Sequence, residues 1–131
     1  MSAVQRRVVS WVPAVLWATL IFVLSSQPVL PSPDELSDKH LHAIAYGVLA
    51  LLCLVGLTAA RWRSITLGSV VAAFAVAVLY GISDEVHQSF VPGRTPDVAD
   101  VVADAVGAAL ALAAAWAWAI LLGRRSSALR P

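Results

Sequence analysis

The sequence predicts an all-α membrane protein, a four-transmembrane-helix antiparallel bundle forming one domain over residues 1–131. Three observations predict it. Hydrophobic residues make up 60% of the chain and charged residues only 13%, with a mean hydropathy of +0.80. A water-soluble domain carries about 25% charged residues, so this composition cannot cover a core with a polar surface. Four apolar runs approach or exceed the roughly 20 residues that cross a bilayer. The links between them are short, which places successive helices antiparallel.

The expected helices are residues 8–26, 39–60, 64–90 and 97–122, joined by links 27–38, 61–63 and 91–96. The first has Pro13 near its start. Arg6 and Arg7 before it and Leu24-Ser25-Ser26 at its end also suggest a secretory signal peptide. The apolar stretch is longer than a signal core and no small-x-small cleavage pattern follows, so a retained span is expected. The third run is apolar to Ser83, and its helical period continues through Asp84 to Phe90. Pro92-Gly93 then marks a turn with glycine at positive φ. Gly47, Gly56, Gly68, Gly81 and Gly107 allow close helix approach. Cys53 is the single cysteine, excludes an intramolecular disulfide and reads as a packing residue.

The net charge of +1 offers nothing to a nucleic acid but hides an asymmetry. Arg6, Arg7, Arg61, Arg63, Arg124, Arg125 and Arg130 fall at the two termini and the second link, which share one side in a four-span chain. The positive-inside rule makes that side cytoplasmic. The opposite side receives Asp34, Glu35, Asp38, Asp84, Glu85, Asp97, Asp100 and Asp104, all eight acids of the chain. His40, His42, His87, Lys39 and Arg94 join them there. Trp11, Trp62, Trp116 and Trp118 lie toward the cytoplasmic ends as interfacial anchors, with Trp17 deeper.

Helical spacing places these polar groups on faces. Asp38, His42 and Tyr46 share one face of the second helix. A carboxylate one turn above an imidazole can orient it, although Ser37 or Asp38 could equally be a simple N-cap. Gly81, Glu85 and Gln88 share a face of the third helix, with Asp84 nearer Tyr80 and His87. Two acids at a helix C-terminus oppose its dipole and call for a positive partner. Arg94 is the nearest candidate, either as a clamp for phosphate or in an ion pair with Asp97, Glu85 or Asp100. Asp97, Asp100, Asp104 and Gly107 descend one face of the fourth helix. A cap and a favourable dipole account for Asp97 and Asp100. Asp104 lies about 10 Å deeper along the axis than Asp97. An unpaired charge at such depth costs on the order of 3 kcal/mol, so Asp104 is expected to face protein, paired, protonated or hydrated. The three faces are expected to converge on a recess open to the outside.

At these residues the chain resembles the VanZ-like family of bacterial membrane proteins. The resemblance lies in Leu24-Ser25-Ser26-Gln27-Pro28, in Asp38-Lys39-x-x-His42-x-x-x-Tyr46 and in Tyr80-Gly81. It continues in Asp84-Glu85-x-x-Gln88-x-Phe90-x-Pro92-Gly93-Arg94-x-x-Asp97-x-x-Asp100, and covers about residues 20–108. Asp104 departs from it, asparagine being the commoner residue there. His40 and His87 lie outside the pattern. The resemblance implies a bacterial inner-membrane protein of the cell envelope and a link to resistance against the glycopeptide teicoplanin. It also implies a core similar to that of membrane enzymes exchanging lipid head groups, although a shared fold does not fix function.

The leading expectation is an enzyme acting on lipid or lipid-linked phosphate esters at the outer leaflet. His42, Glu85 and Asp38 would be its catalytic groups. Arg94, Gln88, Tyr46, Asp97, Asp100 and Asp104 would bind substrate. No cofactor is required by any spacing, and a divalent cation held through carboxylate oxygens is an option. The expected partner is a membrane lipid or lipid-linked precursor. A non-catalytic protein that binds or occludes an envelope precursor or amphiphilic antibiotic is the alternative. An ion-coupled transporter is a third reading, weakened because the polar residues stop midway across the membrane.

Overall fold

A computed structural model describes residues 1–28 and 35–128, with side chains described for 1–28 and 38–123. Four helices follow one another: α1 (Ala3–Ser25), α2 (Glu35–Thr58), α3 (Leu67–Gln88) and α4 (Val98–Ala128), with a short 3-10 turn at Trp62–Ser64. All four contain segments long and apolar enough to cross a membrane. Among the described residues there is no strand. Asp34 of the first link lies outside the described residues, as do the side chains of Glu35, Arg124, Arg125 and Arg130.

The helix ends differ from the expected ones for local reasons. α1 begins five residues early because Ser2 and Gln5 form a capping box. Pro13 sits inside α1, ten residues past its start, rather than in its first turn. α2 begins at Glu35, so Ser37 and Asp38 lie within its first turn and do not cap it. It stops at Thr58 because Ala59 and Ala60 take the left-handed conformation, with φ of 50° and 59°. L-residues other than glycine adopt that region at a cost of about 1 kcal/mol each. The link to α3 is consequently longer than residues 61–63, and Thr66 caps α3 with a side-chain acceptor for the Ser69 amide. α3 ends at Gln88. Gly93 then takes φ 83°, the conformation its Pro-Gly turn requires.

α2 is the central helix. Of its apolar span 44% is buried, against 17–22% for the others. It packs most extensively on α4 and also touches α1 and α3, whereas α1 and α3 barely meet. Small residues set the α2–α4 spacing. A Cβ on Gly47 would lie 3.1 Å from the Gly107 carbonyl oxygen, and one on Gly107 would collide with the Ala43 carbonyl. The backbones are thus in direct contact through Ala43 and Gly47 on one side and Gly107 and Ala111 on the other.

Two aromatic donors fasten the bundle at mid-height. Trp17 Nε1 donates to the Ala45 carbonyl at 2.9 Å, and Tyr80 Oη to the Ala18 carbonyl at 2.6 Å. The outside is apolar, with Leu16, Leu79 and Leu110 among its exposed side chains. Lipid is the solvent in which such a surface is stable. Alternation of four spans brings the beginning of α1, the α2–α3 link and the end of α4 to one end, and the acidic residues to the other.

Candidate functional site

The site is built where α2 meets the first turns of α4. His42 lies about one turn from Lys39 on α2, and both face the descending aspartates of α4. His42 Nδ1 stands 3.0 Å from Asp104 Oδ1, and His42 Nε2 stands 3.8 Å from Asp100 Oδ2. The imidazole therefore lies between two carboxylates. With Asp104 ionised, the proton sits on Nδ1 and the Nε2 lone pair is turned toward Asp100.

Asp104 is almost completely buried. Its carboxylate sits against α3, where a Cβ on Gly81 would come within 2.7 Å of Oδ2. Gly81 is the notch that admits it. The deep acid of α4 thus faces protein and has a partner, as its position in the membrane demands.

Lys39 supplies positive charge at the mouth. Its ammonium donates to Asp97 Oδ2 at 2.7 Å and also to Asp100 Oδ1. It is one-third exposed and Asp97 half-exposed, so this edge of the cluster reaches the surface at the end of the bundle. Asp97 also caps α4, accepting from the Ala99 amide at 2.8 Å. The Lys39 ammonium holds the Asp97 carboxyl below its ordinary 3.8, with the Ala99 amide adding to the effect.

Glu85 reaches the same region from α3. Its Oε2 accepts from the Asp97 amide at 2.8 Å, while its Oε1 is buried without a partner. The positive end of α4 thereby offsets the dipole that this acid opposes at the end of α3. Asp38 lies near enough that single ligand atoms of Asp38, His42 and Asp100 fall within 4.8 Å of one another. Tyr46 is stacked below His42, its ring centroid 6.4 Å away and its plane nearly parallel. Its hydroxyl is buried and unpartnered.

Two expectations about partners are corrected. His42 makes its hydrogen bond to Asp104 across helices, not to Asp38 one turn above on its own helix. Arg94 pairs with none of Asp97, Glu85 or Asp100. Its Nε donates to the Gln27 carbonyl at 3.1 Å and its Nη2 to the Leu24 carbonyl at 3.3 Å. These carbonyls lie at and just beyond the C-terminal end of α1, where a cation complements the dipole. Asp84, on the Tyr80 side of α3 as expected, is buried beside Ser25 and Gln88. Ser25 Oγ donates to its Oδ1 at 2.6 Å and Gln88 Nε2 to its Oδ2 at 3.1 Å. Gln88 thus binds a neighbouring side chain in this structure.

Lys39 was absent from the expected site although it bridges two of its acids. Its i, i+3 relation to His42 was the available signal. Asp84 and Ser25 had no comparable signal, because their contact joins helices far apart in the chain.

No curated protein and no solved structure matches this chain. The profile of the VanZ/LLP1 family matches residues 8–122, nearly the whole chain. With its four apolar helices, the chain is a multi-pass membrane protein that belongs to the VanZ/LLP1 family.

Proposed function

We propose that the protein is an enzyme of the cell envelope acting on lipid or lipid-linked phosphate head groups. The observation that carries this reading is His42 held between Asp104 at 3.0 Å and Asp100 at 3.8 Å, beneath the partly exposed Lys39–Asp97 pair. An imidazole with one nitrogen fixed by a carboxylate is equipped as a general base. Its Nε2 takes the proton of the attacking hydroxyl as oxygen bonds to phosphorus, and Asp104 stabilises the imidazolium that forms. Glu85, with a spare buried oxygen, is the second acid–base group and returns a proton to the departing head group. Lys39 takes the phosphate-facing role expected of Arg94, which is engaged at the end of α1. The arginine distribution favours a cytoplasmic location for both termini and the outer leaflet of the inner membrane for the recess.

The test uses the full chain in vesicles of mixed phospholipids and lipid-linked envelope precursor, with head groups followed by mass spectrometry. Wild type releases or exchanges a head group. His42→Ala lowers the rate by about 10²- to 10⁴-fold, the usual worth of a positioned base, with normal folding. Turnover that survives this substitution removes the catalytic assignment.

One observation favours a second reading. Five acids, Asp38, Glu85, Asp97, Asp100 and Asp104, gather around two cationic groups, Lys39 and His42. An acidic recess suits a ligand bearing an amine, such as an amphiphilic antibiotic of the teicoplanin type or an amine-bearing precursor, held without turnover. Under that reading Glu85→Asp is mild because the charge remains, whereas a catalytic carboxylate does not tolerate the displacement.

A further inference from the structure

We infer that Asp38, His42 and Asp100 form a site for one divalent transition-metal ion of the Mn²⁺ or Zn²⁺ class at the mouth of the recess. One ligand atom from each lies within 4.8 Å of the others. His42 Nε2 and Asp100 Oδ2 are 3.8 Å apart, too far for a hydrogen bond. Two ligands about 2.1 Å from one ion stand about 3.4 Å apart at neighbouring tetrahedral corners and about 4.2 Å apart across an octahedron. The observed gap exceeds the tetrahedral spacing by about 0.4 Å, a closure that small side-chain rotations supply.

Two further observations point to an ion there. His42 has its Nδ1 on Asp104 Oδ1 at 3.0 Å. This is the carboxylate–histidine arrangement that leaves Nε2 free and aimed at a metal. Glu85, 7% exposed, joins the cluster through Oε2 on the Asp97 amide and has Oε1 buried with no partner. That oxygen can accept from water carried by the ion. Asp100 holds Lys39 through Oδ1 and presents Oδ2 to His42, so the ammonium and the ion use different oxygens. One imidazole among carboxylates favours Mn²⁺ or Zn²⁺ over Ca²⁺, which takes oxygen ligands alone.

The inference rests on the phosphate-ester reading only for the role of the ion and changes one part of it. With Nε2 on the ion His42 is a ligand, and the proton of the attacking hydroxyl passes to Glu85, which returns it to the departing head group. There the ion offsets the recess's negative charge and makes it attractive to a phosphate oxygen as a Lewis acid. Binding itself is measured without substrate. The full chain in detergent is stripped with chelator and titrated with MnCl₂, free Mn²⁺ being read by its paramagnetic resonance signal. Zn²⁺ is followed by competition.

Wild type is expected to bind one Mn²⁺ per chain. Asp104→Asn, which disturbs only the orientation of His42, weakens binding about 10- to 100-fold. Asp100→Asn and Asp38→Asn weaken it further. Asp38 lies half-buried in the first turn of α2, so an isosteric amide there leaves the fold intact. His87→Gln, at the end of α3 beside Ser26, leaves binding unchanged. Absence of stoichiometric binding in wild type overturns the inference, as does wild-type affinity in both Asp38→Asn and Asp100→Asn. Mn²⁺ binding without head-group turnover supports the site and defeats only the catalytic reading. Turnover by a chain that binds no Mn²⁺ or Zn²⁺ overturns the site alone.

Discussion

Two buried aspartates that both border α3 have different partners. Asp84 lies where α3 meets the end of α1 and is 5% exposed. Its oxygens accept from Ser25 and Gln88, both neutral donors. Asp104 lies where α4 meets α2, is 1% exposed, and faces His42. Neutral donors immobilise a carboxylate and can do little else near neutral pH. An imidazole can gain or lose a proton and can bind a metal. Burial alone therefore does not distinguish a structural acid from a chemical one; the nature of the partner does. The α1–α3 seam is a latch, and the α2–α4 seam is the working part.

The comparison breaks most severely if the α2–α4 contact is forced apart. Gly107→Ala places a methyl group on the Ala43 carbonyl, a backbone atom that cannot rotate away. The expected loss is about 3 kcal/mol, at the upper end of overpacking effects, together with loss of turnover and Mn²⁺ binding. Unfolding in detergent measures the first. Asp84→Ala sharpens the contrast. It leaves the Gln88 amide without its acceptor and the Ser25 hydroxyl with the Phe22 carbonyl alone, at about 1 kcal/mol. Mn²⁺ affinity and turnover per folded chain are expected to remain, and their loss would make Asp84 part of the chemistry.

Arg94→Ala removes the donors on the Leu24 and Gln27 carbonyls and is expected to cost about 1 kcal/mol. Turnover abolished at full stability would return Arg94 to phosphate recognition. The smallest effect belongs to Asp97, at the exposed edge of the working seam. Its carboxyl is held below the ordinary 3.8 by Lys39. The stabilisation is present above pH 3.8 and is lost as the pH falls through the lower folded-state value. Asp97→Asn should flatten a small acid limb in the unfolding curve while preserving the α4 cap. An unaltered limb would show that the Lys39 pair contributes nothing measurable there.

The four spans were legible because apolar length is a local property of the chain. The descending face of Asp97, Asp100 and Asp104 was legible because helical periodicity places such residues without reference to neighbours. Partner choice was not. The spacing of Asp38 and His42 shows a shared face, but their helix's rotation and height against α4 decide that Asp104 receives the imidazole nitrogen. Arg94 carries no mark that its long side chain turns back to α1. Asp84 was read on a neighbouring face, yet the inward arc of α3 includes Gly81, Asp84, Glu85 and Gln88 together. The early end of α2 was equally hidden, since nothing in an Ala-Ala pair announces the left-handed region.

The notch at Gly81 has a consequence for how this sequence can change. The space that a methyl group would fill is occupied by the end of the residue 104 side chain and the edge of the Tyr46 ring. Positions 81 and 104 are consequently not free to drift independently. A larger residue at 81 requires a shorter one at 104, and the two should be inherited as a matched pair.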